Sequence, residues 1–244
     1  MLLEEREMDN PNQSTSDNAE RSPGFTPATP LRAPNRFAAL EQYRRRAQFY
    51  DLQLALAEPI RRRAIERLGL QGGETVLDVG CGTGLSFELL EQRVGREGKI
   101  IGIEQSSDMI DQARARADRN RFENVTLITS PVEDAEIPIV ADAALFHFTH
   151  DILRTPAAVA NVIQHLKPGA RVVASGLKWA RAWELPTNLM VLQAALFSVT
   201  SLEGLAEPWS NLARWARIDD IEMVLGRGVY IATATVGGEV PLLQ

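Results

Sequence analysis

The feature that most constrains this chain is a glycine-rich stretch that directly follows an apolar run. Residues 76–84 have the sequence VLDVGCGTG, and Val76, Leu77 and Val79 are typical of a parallel strand covered on both faces. The three glycines permit a tight turn that a ligand can approach closely, because glycine has no Cβ. A helical apolar pattern begins at Leu85, so free N–H groups at the helix start would face that ligand. The stretch predicts a strand, a turn and a helix arranged around a small-molecule site.

A second strand that ends in a carboxylate strengthens this prediction. The run Lys99–Ile103 precedes Glu104, 20 positions beyond Gly84, where a carboxylate can accept hydrogen bonds from both hydroxyls of a ribose. Asp78 is costly to bury in an apolar strand without a partner, and a cationic ligand would be one such partner. A nicotinamide-binding loop is the alternative. The G-x-G-x-G spacing disfavours it, because Gly84 is not followed by the further helix-packing glycine or alanine.

Four motifs in this order resemble those of the class I S-adenosylmethionine-dependent methyltransferases, from about Tyr50 to the C-terminus. VLDVGCGTG resembles the first motif and GIEQSSDMIDQARAR (102–116) the second. DAALFHFTHD (142–151) resembles the end of the fourth strand, and LKPGARVVASG (166–176) the helix, turn and strand that follow. The resemblance implies an α/β fold with a doubly wound, seven-stranded, mostly parallel sheet and an antiparallel C-terminal hairpin. It also implies an enzyme whose cofactor is S-adenosyl-L-methionine.

The resemblance assigns cofactor contacts to residues of these motifs. Asp78 would face the methionine end of the cofactor, Glu104 the ribose and Gln105 the adenine. The predicted cofactor site contains Tyr50, Asp78, Gly80, Cys81, Gly82, Gly84, Glu104, Gln105, Ser130, Val132, Glu133 and Phe146. No metal site is predicted.

The adenine end departs from the pattern of the family. After the third strand, Val125–Ile128, the family often has an aspartate that binds the adenine amino group, whereas this chain has TSPVE at 129–133. Ser130, Glu133 or the backbone of Val132 would therefore make that contact.

Two histidines are the candidates for catalysis. His147 and His150 lie at the end of the predicted fourth strand, close to where the family holds the methyl group. A hydroxyl or a protonated amine as acceptor needs a base within hydrogen-bond reach, whereas a strongly nucleophilic acceptor needs none. The alternatives are a pocket-wall role for His147 and a structural hydrogen bond for His150. We expect Tyr50, His147, His150 and Trp179 to border one pocket, although Tyr50 could instead pack in the core.

The chain is predicted to contain one folded domain after an N-terminal tail. Residues 1–35 are rich in proline and small polar residues and poor in large apolar ones, which predicts disorder. Residues 36–244 would form the methyltransferase domain, in which helices at 36–70 precede the sheet. A helical insertion at 178–217, with Trp179, Trp183 and Leu189, occupies the position where the family commonly builds its acceptor pocket.

Composition and charge exclude several function classes. The chain has 244 residues and a net charge of -6, which argues against general nucleic-acid binding. No apolar stretch is long enough for a membrane span, the N-terminus does not resemble a secretory signal, and the cytoplasm is the expected location. Cys81 is the only cysteine and is interpreted as a small residue that fits the turn. Eight arginines against four acidic residues between 36 and 67 form either a solvated helix face or a contact for an anionic group or lipid surface.

The sequence therefore predicts a methyltransferase that acts on a small, largely apolar acceptor. Quinone-like, polyketide-like and lipid-like acceptors fit this prediction equally, because concave small-molecule sites are lined mostly by apolar side chains. The alternatives are a protein or nucleic-acid methyltransferase, and a subunit of the same fold that binds the cofactor without turnover.

Overall fold

The computed structural model describes residues 58–237, without the side chains of residues 197 and 198. The predicted tail at 1–35, the first helical segment and Tyr50 lie outside the described residues. Helix α1 (Glu58–Leu68) therefore opens the described part of the chain. It begins one residue before Pro59, which is a favoured residue in the first turn of a helix.

A seven-stranded sheet forms the centre of the described residues. Its strands are β1 (Thr75–Val79), β2 (Lys99–Glu104), β3 (Val125–Thr129), β4 (Ala141–His147), β5 (Leu166–Leu177), β6 (Ala216–Val224) and β7 (Val229–Val236). Their spatial order is β3-β2-β1-β4-β5-β7-β6. Strands β1 to β5 are parallel, whereas β7 is antiparallel to both β5 and β6. The predicted doubly wound sheet with its C-terminal hairpin is confirmed.

Helices follow the parallel strands as the periodicity predicts. They are α2 (Phe87–Val94), α3 (Ser107–Asn120), α4 (His150–Leu153), α5 (Pro156–Gln164) and α6 (Leu185–Ser198). Strand β5 is longer than the predicted Arg171–Ser175, because Leu166 already pairs with Ala141 before an irregularity in the register. No helix among residues 58–237 combines the length and the apolar character that crossing a membrane requires.

Apolar residues cover both faces of the sheet. Leu77 and Val79 of β1 belong to one buried cluster, and Val76 belongs to the other. Alternate residues of a strand point to opposite faces, so a strand buried on both sides must be apolar at nearly every position. Asp78 departs from this rule, because its side chain is only 2% exposed.

The strand order places the candidate site. Strand β1 pairs with β2 on one side and with β4 on the other, so the chain reverses its direction of winding between β1 and β4. The carboxyl ends of two such strands form a crevice in open α/β sheets, and ligands bind there. The glycine loop follows β1 at this edge, and His147 ends β4.

Candidate functional site

The glycine loop has a backbone that favours glycine at each of its three alternate positions. Gly80, Gly82 and Gly84 have φ values of 70°, 56° and 76°, a region that residues with a Cβ rarely adopt. A Cβ on Gly80 would lie 2.6 Å from Cγ2 of Thr149, and one on Gly84 would overlap with the Phe87 ring. Close packing within the protein therefore requires glycine at these two positions, in addition to the predicted approach of a ligand.

Cys81 packs between the loop and the neighbouring strand. A Cβ added to Gly102 of β2 would lie 2.9 Å from the Cys81 Sγ, so the thiol fills the space that Gly102 leaves. Burial raises the pKa of the thiol well above its usual value, and the carboxyl groups of Asp78 and Glu104 raise it further. A thiol in this state stays protonated and is a poor nucleophile, which supports the interpretation of Cys81 as a packing residue.

A cleft opens beside this loop. Its walls include four of the predicted cofactor-binding residues, Asp78, Gly80, Cys81 and Gly82. The Oδ2 atom of Asp78 is shielded from solvent and has no hydrogen-bond partner among the described residues. Burial raises the pKa of the Asp78 carboxyl to about 7, although the Arg61 guanidinium opposes this shift. The cleft thus contains a buried acceptor atom that a bound cation or donor would satisfy.

Arg61 of α1 lines the same cleft, and the sequence did not single it out. The side chain is 2% exposed and forms an ion pair with Glu58. The sequence spacing already indicated this burial. Arg61 precedes Ala64 by three positions and Leu68 by seven, so the three residues share the buried face of the helix. The solvated helix face that the sequence favoured contains the neighbouring Arg62 instead, whose side chain is 55% exposed.

His147 presents a neutral imidazole to the cleft. Its Nδ1 lies 2.8 Å from Oγ of Ser175 on β5. The residue is partly exposed, but its Nε2 is shielded from solvent and has no hydrogen-bond partner in the described part of the chain. Burial lowers the pKa of the imidazole to about 3, and the nearby Arg61 guanidinium contributes to this shift. His147 is therefore uncharged at neutral pH.

A second cavity adjoins the cleft at Phe148. Phe148 lines both spaces, and its φ of 56° is unusual for a residue with an aromatic side chain. The second cavity is smaller, with room for about one water molecule, and includes His150 in its wall. His147 and His150 line these two adjoining cavities, whereas Trp179 lines neither of them. Because Tyr50 lies outside the described residues, the pocket that the four residues would border stays a prediction. Residues 147 and 150 diverge because β4 ends between them and α4 begins.

His150 is tied to the segment that follows α6. Its Nε2 lies 2.9 Å from the backbone oxygen of Glu203. Burial lowers the pKa of the imidazole, opposed by its hydrogen bond to Glu203 and by Asp151. The carboxylate of Asp151 accepts a hydrogen bond from the backbone N–H of Thr200, so it holds the same segment.

The predicted ribose ligand, Glu104, lies against the glycine loop. Its Oε2 accepts a hydrogen bond from the Gly82 N–H at 3.3 Å, and its Oε1 accepts one from the Ser106 N–H at 2.8 Å. Burial raises the pKa of the Glu104 carboxyl, while these backbone hydrogen bonds oppose the shift. Glu104 does not line the cleft described above, and Gln105 beside it is half-buried.

The remaining predicted contacts lie outside both cavities. Ser130 donates its hydroxyl hydrogen to the carbonyl of Pro131, and the carbonyl of Val132 accepts a hydrogen bond from the Asn161 side chain. Glu133 is half-buried. Phe146 is fully buried in the core, so its side chain does not reach the cleft.

The insertion contributes little to the two cavities. Trp183 and Leu189 are 73% and 57% exposed, because α6 packs through Val191 and Ala195 instead. Only Val199, directly after α6, lines the second cavity. Within residues 58–237, no cluster of three or more His, Cys, Asp or Glu side chains is suited to hold a metal ion.

A mostly parallel sheet with a glycine loop at its switch point is typical of Rossmann-like proteins that bind a nucleotide cofactor. The sequence model of the family described as "Methyltransferase domain" matches residues 70–209, more than half of the chain. The chain belongs to this family and has the fold of the class I S-adenosylmethionine-dependent methyltransferases.

Individual relatives agree with this assignment. A demethylmenaquinone methyltransferase from Tropheryma whipplei (strain Twist) is 29% identical over 203 residues, which cover 76% of this chain and 80% of that protein. The aklanonic acid methyltransferase DauC from Streptomyces sp. (strain C5) is 29% identical over 122 residues, which cover 48% and 56%. A crystal structure of a SAM dependent methyltransferase from Aquifex aeolicus has a TM-score of 0.53 at 22% identity, with 72% of this chain and 89% of that chain covered. Matches to three other curated relatives span only 33%, 27% and 46% of those proteins.

Proposed function

We propose that this chain transfers the methyl group of S-adenosylmethionine to a small, largely apolar acceptor. The observation that carries the proposal is the buried Oδ2 of Asp78 beside the glycine loop. This atom has no hydrogen-bond partner among the described residues. A buried carboxylate oxygen in this state is stabilised by a cationic donor, and the methionine end of the cofactor bears an ammonium group. The residues of the cleft therefore fit the cofactor of the family.

Arg61 and Asp78 would hold the two charged groups of the methionine end. The Asp78 carboxylate binds the ammonium group, and the Arg61 guanidinium binds the carboxylate, to which its planar donors are matched. The backbone of Gly80 and Gly82 supports the cofactor body. When bound, the cofactor supplies an electrophilic methyl group on a positively charged sulfur.

His147 has a positioning role in this proposal. A base whose pKa is about 3 has little tendency to accept a proton near neutral pH, so His147 is poorly matched to general-base catalysis. A neutral Nε2 in the wall of the cleft can still form a hydrogen bond with a bound molecule. His147 thus orients the cofactor or the acceptor, held in place by Ser175.

Two independent considerations support an acceptor of the small-molecule class. The relatives described above are named for demethylmenaquinone and aklanonic acid, which are small molecules. The second cavity adjoins the cleft and has apolar walls that include Leu177, Val199 and Phe148. Such walls favour an apolar group of the acceptor. Methyl transfer mainly requires that water is excluded and that the acceptor is aligned with the methyl group.

The experiment is a labelling assay on three substrate pools. The full chain is incubated with methyl-labelled cofactor and small-molecule extracts, total RNA or total protein, and the products are resolved by mass spectrometry. We expect label in a small organic molecule. Label confined to RNA or protein overturns the acceptor class. Cofactor binding by calorimetry without label in any pool identifies a non-catalytic binding subunit.

A further inference from the structure

We propose that two copies of this chain form a dimer through α6, with the two helices packed side by side in opposite directions. The contact is made by a row of four leucines along the helix, which we call the leucine seam. It consists of Leu185, Leu189, Leu192 and Leu196. The proposal concerns the surface of the insertion and does not depend on the identity of the acceptor.

The spacing of the leucine seam places its four members on one narrow stripe of α6. Successive leucines are four, three and four positions apart, which is the spacing of the a and d positions of a coiled coil. With about 100° of rotation per residue, the four side chains fall within about 60° of one another around the helix axis. A helix that faces a protein core has a wider apolar stripe, of about 100° or more. The narrow seam therefore indicates a second helix as its partner.

The described part of the protein leaves the leucine seam largely uncovered. Three of its members are 57–70% exposed, and Leu192 is half-buried. Val191 and Ala195 are fully buried and attach another face of α6 to the core. Of the eight large apolar side chains that are exposed among residues 58–237, seven lie between positions 183 and 225. Exposed apolar side chains that are concentrated in one region indicate an interaction surface.

Contacts on the inner side of α6 hold the helix in a fixed position. A Cβ on Gly228 of the C-terminal hairpin would lie 2.9 Å from Cγ2 of Thr187 and 2.9 Å from Cγ2 of Val191, so the hairpin packs closely against the helix. The Oδ1 atom of Asn188 accepts a hydrogen bond from the Ala180 N–H at 2.9 Å, which ties the helix to the segment before it. The leucine seam is thus preformed, and pairing requires little ordering of the chain.

The charges around α6 favour the antiparallel arrangement. No charged residue occurs at positions 185–202, so contact between two seams buries no charge. Arg181 and Glu184 precede the helix, and Glu203 follows it. In a parallel two-fold pair each of these side chains would face its own copy, and like charges opposite one another are unfavourable. In the antiparallel pair, Arg181 instead approaches the C-terminal end of the partner helix, which has a negative partial charge.

The size of the surface predicts a weak dimer. At their exposures in this structure, the leucine seam and the adjacent Trp183 and Met190 present roughly 400–500 Å² of apolar side chain per copy. A two-fold pairing then buries about 800–1,000 Å² in total, which is near the lower limit for a specific interface. We therefore expect a reversible association and not a permanent dimer.

The first test is sedimentation equilibrium of the full chain. We expect a monomer–dimer equilibrium with a dissociation constant on the order of 10 μM. Leu189→Gln should weaken association at least about tenfold, because it places an amide in the seam that loses its hydration without a partner. Glutamine keeps a high helix propensity, so α6 should still form. The matched control is Val140→Gln, because Val140 is 50% exposed and lies outside the region of α6.

Disulfide trapping tests the orientation of the two helices. Cys81 is the only cysteine of the chain and is buried, so a cysteine added to the seam is the single accessible thiol. In the antiparallel pair, position 185 of one copy lies opposite position 196 of the other, whereas the two copies of position 185 are about 16 Å apart. A mixture of Leu185→Cys and Leu196→Cys should therefore form a disulfide-linked dimer under mild oxidation, and neither variant alone should form one.

Three outcomes overturn the proposal. A chain that stays monomeric at every concentration leaves the leucine seam to another occupant, such as residues 1–57 or a lipid surface. Association that is unchanged in Leu189→Gln, or that is weakened equally in Val140→Gln, places the dimer contact elsewhere. Disulfide-linked dimers of Leu185→Cys alone or of Leu196→Cys alone contradict the antiparallel arrangement.

Discussion

Arg61 and Asp78 line one cleft from two different elements, helix α1 and strand β1, and both side chains are buried. Burial raises the pKa of the Asp78 carboxyl to about 7, the Arg61 guanidinium opposes the shift, and Glu104 adds to it. A carboxyl with this pKa is close to half-protonated at neutral pH. A cationic ligand that binds the ionised form therefore shifts the protonation state of Asp78.

The affinity for S-adenosylmethionine should depend on pH through this group. Below a pH of about 7 the free protein holds a proton on Asp78 that the ammonium group of the ligand must displace, so affinity should fall as pH falls. The limiting slope is about tenfold per pH unit, or about 1.4 kcal/mol. Calorimetry between pH 5.5 and 7.5 measures this dependence, and Asp78→Asn should flatten it. An equally steep profile in the variant would assign the dependence to another group.

Arg61 should contribute to binding only when the ligand carries a carboxylate. We expect Arg61→Met to weaken S-adenosylhomocysteine binding by about 1.5–3 kcal/mol, the range for hydrogen bonds to charged groups. The binding of 5′-methylthioadenosine, which lacks the amino-acid part, should change little. Arg62→Met is the matched control, because the Arg62 side chain is 55% exposed on the same helix. Equal losses for both ligands in Arg61→Met would indicate a general effect on the cleft instead.

The fold was predictable because local patterns and long-range order agree in this chain. The run Val76–Val79 with its glycines specifies β1 and the turn, and the spacing of Ile60, Ala64 and Leu68 specifies the inner face of α1. These signals repeat along the chain, so errors are confined to boundaries such as the start of β5 at Leu166.

The site was only partly predictable, because several of its members are defined by distant contacts. Arg61 resembles its solvated neighbours in the sequence until its position on the buried face is considered. Gly176 and Tyr230 meet only through the antiparallel pairing of β5 with β7. Likewise, no local signal couples His150 to the carbonyl of Glu203, 53 positions away.

Glu104 should affect both the loop and the ribose. Glu104→Gln replaces a carboxylate that accepts hydrogen bonds from the Gly82 and Ser106 N–H groups. We expect a loss of about 1–3 kcal/mol in the free energy of unfolding, and weaker binding of 5′-methylthioadenosine with little change for free adenine. Urea denaturation and calorimetry measure the two effects, with Glu97→Gln on the exposed surface as control. A loss of stability with unchanged 5′-methylthioadenosine binding would leave Glu104 as a loop support alone.

Gly80 should be intolerant of even a methyl group, for two separable reasons. Its φ of 70° strains any residue with a Cβ, and that Cβ would lie 2.6 Å from Cγ2 of Thr149 and 2.7 Å from Cδ1 of Ile152. Gly95 has a similar φ of 66° but nothing within 4 Å of its Cβ position, so Gly95→Ala gives the cost of a positive φ alone, about 1–3 kcal/mol.

Gly80→Ala should cost about 1–3 kcal/mol more than Gly95→Ala, because α4 must move to make room for the methyl group. Urea denaturation at a constant m value compares the two variants. Gly80 lines the cleft, so Gly80→Ala should also weaken the binding of S-adenosylhomocysteine, whereas Gly95→Ala should not. Equal destabilisation of the two variants would mean that Thr149 and Ile152 yield freely, and that the glycine loop does not fix the position of α4.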